Sequence, residues 1–303
     1  MQDPTSEGFR PSRRALLLSA FPALALAACG SGSSTASTAD AQVAAPASLV
    51  DSGTLTYGTA ASFPPFEYKD GTDLAGFDIE MIEALAALMG LKTKAQDGDF
   101  DGLIPALQGK RVDVINSAMY IKPEREAQVD FVRYLKVGEA ILTTSDSTLS
   151  IQTLPDDLSG RTVAVTRGAI GETYMTDFNT QLKEKGLAEM KLLTLPNNQD
   201  AQLAVQNGRA DAFDTSSPSA AYLISQTSGK FKVQTTFDNN TEVGIAVRKG
   251  ETSTSDALQK ALDAFVSSGD YQALLDKYNL PAESNYFSAS TTAPTTTSEA
   301  TPS

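Results

Sequence analysis

Chemistry in a protein needs side chains that hold charge, protons or metals, and this chain carries a restricted set of them. Its 303 residues include no histidine and a single cysteine. Without histidine, the usual zinc and copper sites and every His-based catalytic triad are excluded. Carboxylates, guanidinium groups, hydroxyls and backbone amides remain. Pro123-Glu124-Arg125-Glu126 places one guanidinium among carboxylates. A guanidinium presents a rigid fork of donors that matches a carboxylate bidentately, fixing orientation as well as charge. On its residues alone the segment also reads as helix surface, with Arg125 paired to Glu124 or Glu126. Gly168-Ala169-Ile170-Gly171 precedes a helical pattern that begins near Glu172, and a helix N-terminus offers free N–H groups to an anion.

The elements that must position these groups follow from periodicity. Between about Asp51 and Phe287, short β-rich runs alternate with helical patterns, as in an α/β fold with mostly parallel sheets. Leu55-Thr56-Tyr57 predicts a first strand, and Val112–Ile115 and Thr162–Val165 predict buried ones. From Asp78 to Met89, the apolar residues Ile82, Leu85, Ala86 and Met89 share one helical face, and Gly90 can end that helix in left-handed geometry. Two closing helices are expected over Asp256–Val266 and Asp270–Tyr278, parted by Ser267-Ser268-Gly269. A faint echo recurs along the chain. Leu103 to Gln108 leads into Gly109-Lys110-Arg111-Val112-Asp113, and Leu203 to Asn207 leads into Gly208-Arg209-Ala210-Asp211. Helix–Gly–strand units recur in every α/β protein, so the echo only supports two related lobes.

The two ends read differently. Ser12-Arg13-Arg14 precedes an apolar run from Ala15 to Ala28, broken only by Ser19 and Pro22. That run is shorter than the roughly 20 apolar residues of a membrane span. Its charged-then-apolar order is that of an export signal, and the paired arginines resemble a twin-arginine signal. Leu26-Ala27-Ala28-Cys29 resembles a lipobox, which makes residues 1–28 the expected signal peptide and Cys29 the expected site of lipidation. Residues 29–51, rich in Ser, Thr, Ala and Gly, are expected as a flexible tether, and residues 288–303 as a disordered tail. The chain has 24 basic and 37 acidic residues, a net charge of −13. Loss of residues 1–28 removes three basic and two acidic residues and leaves −14. So acidic an exterior argues against nucleic acid, whose phosphates need Lys and Arg. With no second cysteine, no intrachain disulfide can form.

Five segments, in order and at plausible spacing, carry a resemblance to a known family. They are Gly76-Phe77-Asp78-Ile79-Glu80-Met81 with Leu85-Ala86; Phe63-Pro64-Pro65-Phe66-Glu67; Asp99 to Leu107; Pro123-Glu124-Arg125 with Val129-Asp130-Phe131; and Leu158-Ser159-Gly160 with Val163-Ala164-Val165, continuing into Gly208 to Ala212. Over roughly Asp51 to Tyr278 the chain resembles family 3 of the bacterial extracellular solute-binding proteins, the polar-amino-acid receptors of ABC importers. The resemblance implies a two-lobed fold of the type II periplasmic-binding-protein kind, its lobes joined by two crossing segments near Val137–Leu142 and Asp238–Ile245. Lobe 1 would comprise 52–138 and 243–287, and lobe 2 would comprise 139–242.

The same resemblance assigns roles. Arg125 would grip the carboxylate of a ligand. Phe63 and Phe100 would flank its side chain, Ser117 and the backbone at Ala118 would add polar contacts, and Ala169 and Ile170 would donate backbone amides. Three positions depart from the family pattern. An acid common in the first pocket loop is Ala60 here. The Ser or Thr usual five residues before the arginine is Tyr120. The Asp that pairs with a ligand ammonium falls at Ser216, with Asp214 two residues earlier. These departures weaken the case for an ordinary α-amino acid. Phe63, Phe100 and Tyr120 could instead form an aromatic box for a methylated or delocalised cation, such as a compatible solute.

The expected function is that of an extracytoplasmic substrate-binding lipoprotein, held to the membrane by its lipid, acting as a monomer without cofactor or metal. It would hand a small amino-acid-like or compatible-solute ligand to an ABC permease and its ATPase. Hydrogen bonds to charged groups contribute about 1.5–3 kcal/mol each, whereas micromolar affinity needs about 8 kcal/mol. One arginine therefore cannot suffice, both lobes must contribute, and ligand favours the closed form. Two rivals remain: an extracytoplasmic sensory module, and a cyclohexadienyl dehydratase-like enzyme, for which Glu172 and Asp214 are the nearest acid–base candidates.

Overall fold

A computed structural model describes residues 41–288. The expected export signal, Cys29, the first part of the tether and residues 289–303 lie outside the described residues. Among the described residues, no helix is long and apolar enough to cross a membrane.

The first lobe opens on strand β1 (Thr54–Thr59). A small antiparallel sheet follows, made of β2 (Ser62–Phe63), β3 (Glu67–Asp70) and β4 (Asp73–Ala75). Helix α1 (Phe77–Leu88), β5 (Lys92–Asp97), α2 (Leu103–Gln108), β6 (Val114–Ile115) and the single turn α3 (Pro123–Glu126) complete this half. The long strand β7 (Val129–Thr144) then leads into the second lobe. That lobe is built from β8 (Thr162–Thr166), α4 (Ile170–Glu184), β9 (Lys191–Leu195), α5 (Asn198–Gln206), β10 (Ala212–Ser216) and α6 (Ser217–Gln226). A second long strand, β11 (Phe231–Arg248), returns to the first lobe, which α7 (Thr252–Ser267) and α8 (Asp270–Lys277) finish.

The main strands run in the order β5-β1-β6-β11-β7-β10-β8-β9. Within each lobe three strands are parallel, β5-β1-β6 in one and β10-β8-β9 in the other. Parallel strands bury both faces, and both are covered here. In lobe 1, one face packs Phe77, Ile82 and Leu85 of α1 against Leu258 and Leu262 of α7, and the other packs Leu103 and Leu107 of α2 against Val112 and Ile115. In lobe 2, Phe213 packs with Ala201 and Phe231 on one side, while Val163 and Val165 meet Met175 and Leu182 on the other.

The crossings are one paired ribbon. Strands β7 and β11 run antiparallel from Phe231 opposite Thr144 to Arg248 opposite Val129, and the register shifts between Val233 and Thr235, between Val243 and Gly244 and, most widely, between Phe237 and Thr241. Below that shift β6 joins the ribbon at Ala246 and Val247; above it β10 joins at Glu139 to Leu142. The two-lobed α/β fold is therefore present.

The sequence echo has a structural counterpart. Asp113 donates its amide to the Thr56 carbonyl (2.7 Å) while its carboxylate accepts the Thr56 amide (2.8 Å). Asp211 and Thr162 repeat the exchange at 2.8 and 2.7 Å. Each lobe thus locks the residue that enters its third parallel strand onto the head of its first.

Two expectations need correction. Residues 41–50 do not hang free. Gln42 and Val43 donate amides to the Leu88 carbonyl at 2.9 and 3.1 Å, Val50 donates to Asp113 Oδ1 at 2.7 Å, and Val43 and Leu49 pack on the lobe 1 core. The physical reason is that the last carbonyls of a helix lack partners within it, and this segment supplies donors together with apolar side chains. Helix α7 also begins at Thr252 rather than Asp256, with Thr254 buried and its hydroxyl bonded to Glu251.

Candidate functional site

The lobes face each other across a cleft of about 580 Å³, part of it open to solvent. Loops at the C-terminal ends of the parallel strands build its walls, where open α/β sheets generally bind ligands. Seven of the nine sequence-predicted residues line it: Phe63, Phe100, Ala118 and Tyr120 from lobe 1, and Ala169, Ile170 and Ser216 from lobe 2. Ser117 and Arg125 stand in the shell just behind.

Arg125 is 8% exposed and bridges the lobes. One terminal nitrogen donates to the Tyr120 carbonyl and the other to the Gly168 carbonyl, both at 2.8 Å, while the guanidinium lies 5.3 Å from the Phe100 ring centre. The helix-surface reading fails, because Glu126 pairs with Arg133 at 3.0 Å and Arg125 joins no ion pair among the described residues. Burial pulls its pKa down to about 10, so it remains a cation at neutral pH. Two of its five N–H donors meet neutral carbonyls, and its charge lacks a counter-ion.

Lobe 1 holds this wall through buried acids. Asp78, at the head of α1, accepts the Ala118 amide at 2.6 Å and the Tyr134 hydroxyl at 2.7 Å, which pins Ala118 at a φ of +40°. Ser117 donates to Glu67 at 2.9 Å and accepts the Ala60 amide at 3.0 Å. Ser117 therefore positions the first pocket loop instead of facing ligand. Glu67 lines the cleft, and burial followed by the Asp78 charge pushes its carboxyl well above the usual range.

Lobe 2 adds an acid that sequence reasoning missed, Glu139, next to Asp214, which it named beside Ser216 and as an acid–base candidate. Glu139 on β7 and Asp214 on β10 both line the cleft. They are 1% and 6% exposed, and Glu139 Oε1, Asp214 Oδ1 and the Tyr120 hydroxyl have no hydrogen-bond partner, a property they share with Glu67 Oε2 across the cleft. Burial raises the Asp214 carboxyl to about 7, and burial plus the Asp214 charge raises Glu139 further. The signal was available: Glu139 is the one charge in the run Val137 to Leu142, and Asp214 shares the face of Ser216 because strand side chains alternate.

Three expected contacts change accordingly. The Ala169 amide is taken by the Thr166 carbonyl at 3.1 Å, leaving Ile170 as the first amide of the uncapped helix α4. Ser216 lines the cleft, but its hydroxyl caps α6 by accepting the Ser219 amide. The three aromatics of the expected box, Phe63, Phe100 and Tyr120, all line the cleft, with the Phe100 ring 5.3 Å from the Arg125 guanidinium and the Phe63 ring 5.4 Å from Phe66. Glu172 is turned to the Gly168 amide and the Thr194 hydroxyl.

The sequence profile of the bacterial extracellular solute-binding proteins, family 3, matches residues 55–281. The chain belongs to this family. A probable histidine-binding protein of Campylobacter jejuni is 30% identical over 75% of this chain and 85% of its own length. An L-arginine-binding protein of Pseudomonas aeruginosa is 31% identical over 73% and 86%. Among solved structures, an ancestral arginine-binding protein bound to arginine superposes with a TM-score of 0.69 at 34% identity, covering 75% of this chain and 98% of that one. For a family 3 solute-binding protein, the interlobe cleft is the place where a solute is held.

This member of family 3 buries several carboxyls around its cleft, and its stability should respond. Glu67, Asp78, Glu139 and Asp214 all titrate above an ordinary carboxylate in the folded state, Asp78 and Asp214 at about 7. The native state thus binds more protons than the unfolded chain, whose carboxyls titrate near about 4. The sign follows: stability is fully present below about pH 4 for these groups and falls as pH rises through about 7. The melting temperature of the ligand-free protein should drop between about pH 5 and pH 8, and Asp214→Asn should flatten that slope.

Proposed function

We propose that this protein captures a small amino-acid-like solute outside the cytoplasm and delivers it to the permease and ATPase of an ABC importer. One observation carries the reading: buried carboxyls, Glu139 and Asp214, line the interlobe cleft, and the Arg125 guanidinium, which joins no ion pair among the described residues, stands just behind its wall on the bond to Gly168. A zwitterion or cationic amino acid complements both. A purely anionic solute leaves the carboxyls buried without a partner, and a betaine, whose quaternary nitrogen donates no hydrogen bond, leaves their oxygens unsatisfied. The relatives named for arginine and histidine support the amino-acid class. In this reading the solute carboxylate replaces the Gly168 carbonyl on Arg125, so that the fork passes from lobe 2 to the solute while the Tyr120 carbonyl keeps its bond. Cys29 would carry the lipid that keeps the receptor at the membrane.

Thermal-shift and calorimetric titration over amino acids, opines and compatible solutes test this directly. A ligand that binds only the native state raises the melting temperature, by about 2.7 kcal/mol of stability at a hundredfold excess over Kd. Tight binding of a polar amino acid is expected; a response confined to ectoine or betaine removes the amino-acid assignment. Turnover of prephenate or arogenate would replace the receptor with an enzyme.

A further inference from the structure

Tyr174 of α4 belongs to lobe 2, yet it packs against the apolar cores of both lobes. Its ring meets Phe237 edge-on at 5.3 Å, on the lobe 2 side of the widest break in the β7–β11 ribbon. Its hydroxyl reaches past that break, lying 3.4 Å from the Thr241 hydroxyl and accepting a hydrogen bond from Lys122 of lobe 1 at 2.7 Å. Lys122 also approaches Asp238, inside the break itself, at 3.5 Å. Backbone holds the lysine there: the Ile121 amide donates to the Glu242 carbonyl at 2.8 Å, and Tyr120 forms an antiparallel bridge with Val243. One tyrosine thus spans the place where the ribbon between the lobes is least continuous.

A second contact joins the lobes elsewhere, where the Tyr68 ring of β3 stands 5.8 Å from the Tyr222 ring of α6. Lys122, Tyr174, Tyr68 and Tyr222 all stand outside the lining of the cleft. Arg125 ties the lobes as well, through the Gly168 carbonyl, but in the reading above the solute carboxylate takes that bond. The ties made by Lys122 and by the paired tyrosines are untouched by the exchange, so they act in the loaded and the empty protein alike.

We infer that Lys122 and Tyr174 form a latch that favours the closed form whichever solute is present, and that it holds a substantial share of the solute-free protein closed. The inference rests on the receptor reading and adds to it two positioning residues that touch no solute. A solute that binds only the closed form has an observed Kd equal to its intrinsic value divided by the closed fraction. Loss of the latch lowers that fraction and therefore weakens every solute by one common factor. A side chain in contact with solute discriminates among solutes; a latch does not.

Two variants test it. Tyr174→Phe keeps the ring on Phe237 and removes the hydroxyl; Lys122→Met keeps an unbranched side chain and removes its charge. Calorimetry with L-arginine and with L-glutamine should show Kd rising about tenfold in each variant, by the same factor for both probes. The double variant should bind little more weakly than Lys122→Met alone, because the two substitutions break one shared bond. Small-angle X-ray scattering of the solute-free protein should give each variant a larger radius of gyration than the wild type, with melting curves confirming that each folds. Unequal factors for the two probes place the pair in the solute site and overturn the inference, as do variants with the wild-type Kd or the wild-type scattering curve; the receptor reading survives all three. If no amino acid binds, the receptor reading falls, and the scattering comparison still decides whether the latch exists.

Discussion

Arg125→Ala is expected to weaken solute binding by about two to four orders of magnitude. The guanidinium is almost wholly buried and joins no ion pair among the described residues. Each charge-assisted hydrogen bond it makes to a solute carboxylate contributes about 1.5–3 kcal/mol, and two of them amount to a factor of about 10² to 10⁴ in Kd. Arg125→Lys keeps the charge and loses the fork, so it should recover only part of the affinity. Calorimetry at a fixed pH reads both. The ligand-free protein also loses the bonds to Tyr120 and Gly168, so its melting point should fall modestly. If Arg125→Ala binds solute as the wild type does, the guanidinium is merely a strut between lobes.

Gly76→Ala should be the most damaging single methyl addition in the first lobe, costing about 4 kcal/mol or more. Gly76 sits at φ +128° and ψ 168° before α1, a region closed to residues with a side chain. A Cβ there would lie 2.1 Å from the Phe66 carbonyl oxygen, 2.5 Å from its carbon and 2.9 Å from the Glu67 amide nitrogen. Backbone cannot step aside as a rotamer can. Phe77 and Asp78 donate their amides to the Pro65 and Phe66 carbonyls, both at 2.9 Å, so loop and helix are tied at the point of collision. Overlap and forbidden dihedral together place the substitution in the severe tail of measured effects. For a domain of this size each kcal/mol lowers Tm by about 2–4 °C, so a loss of about 10 °C is expected. A variant melting within about two degrees of the wild type would show that the loop relaxes.

The same junction explains why Gly76 to Met81 was so legible. Gly76 lets two backbones touch, Phe77, Ile79 and Met81 enter the core, Asp78 fixes the Ala118 turn, and Glu80 holds Lys277 and Tyr278. One hexapeptide serves packing, capping and the cleft at once, so its residue types are tightly constrained. Strand periodicity and the Gly–basic–Asp echo revealed the lobes for a similar reason, since Asp113 and Asp211 answer to local backbone geometry. The acids of the second wall were harder to see. Glu139 and Asp214 are 75 residues apart, and only the antiparallel register of β7 with β10 brings them together. Sequence reading placed the ammonium acid at one expected position, found serine there, and concluded that it was missing. Sheet register is a long-range property, and a change of two along one strand keeps the face while moving the residue. The tether failed for the opposite reason. Its composition is that of disordered chain, yet a few apolar residues among the alanines and serines suffice to dock when a helix end next to them wants donors.

Because β7 and β11 hydrogen-bond to one another along nearly their whole length, the joint between the halves is a single two-ply strap rather than a pair of separate strings. Sliding one half past the other would tear the ladder. Bending the strap costs least where the ladder is interrupted, at its three register shifts, the widest of them between Phe237 and Thr241 beside the left-handed Asp238. Rocking about the strap is thereby the motion its hydrogen bonds oppose least. A transporter that senses a single angle can then distinguish a full receptor from an empty one, whatever the chemistry of the cargo.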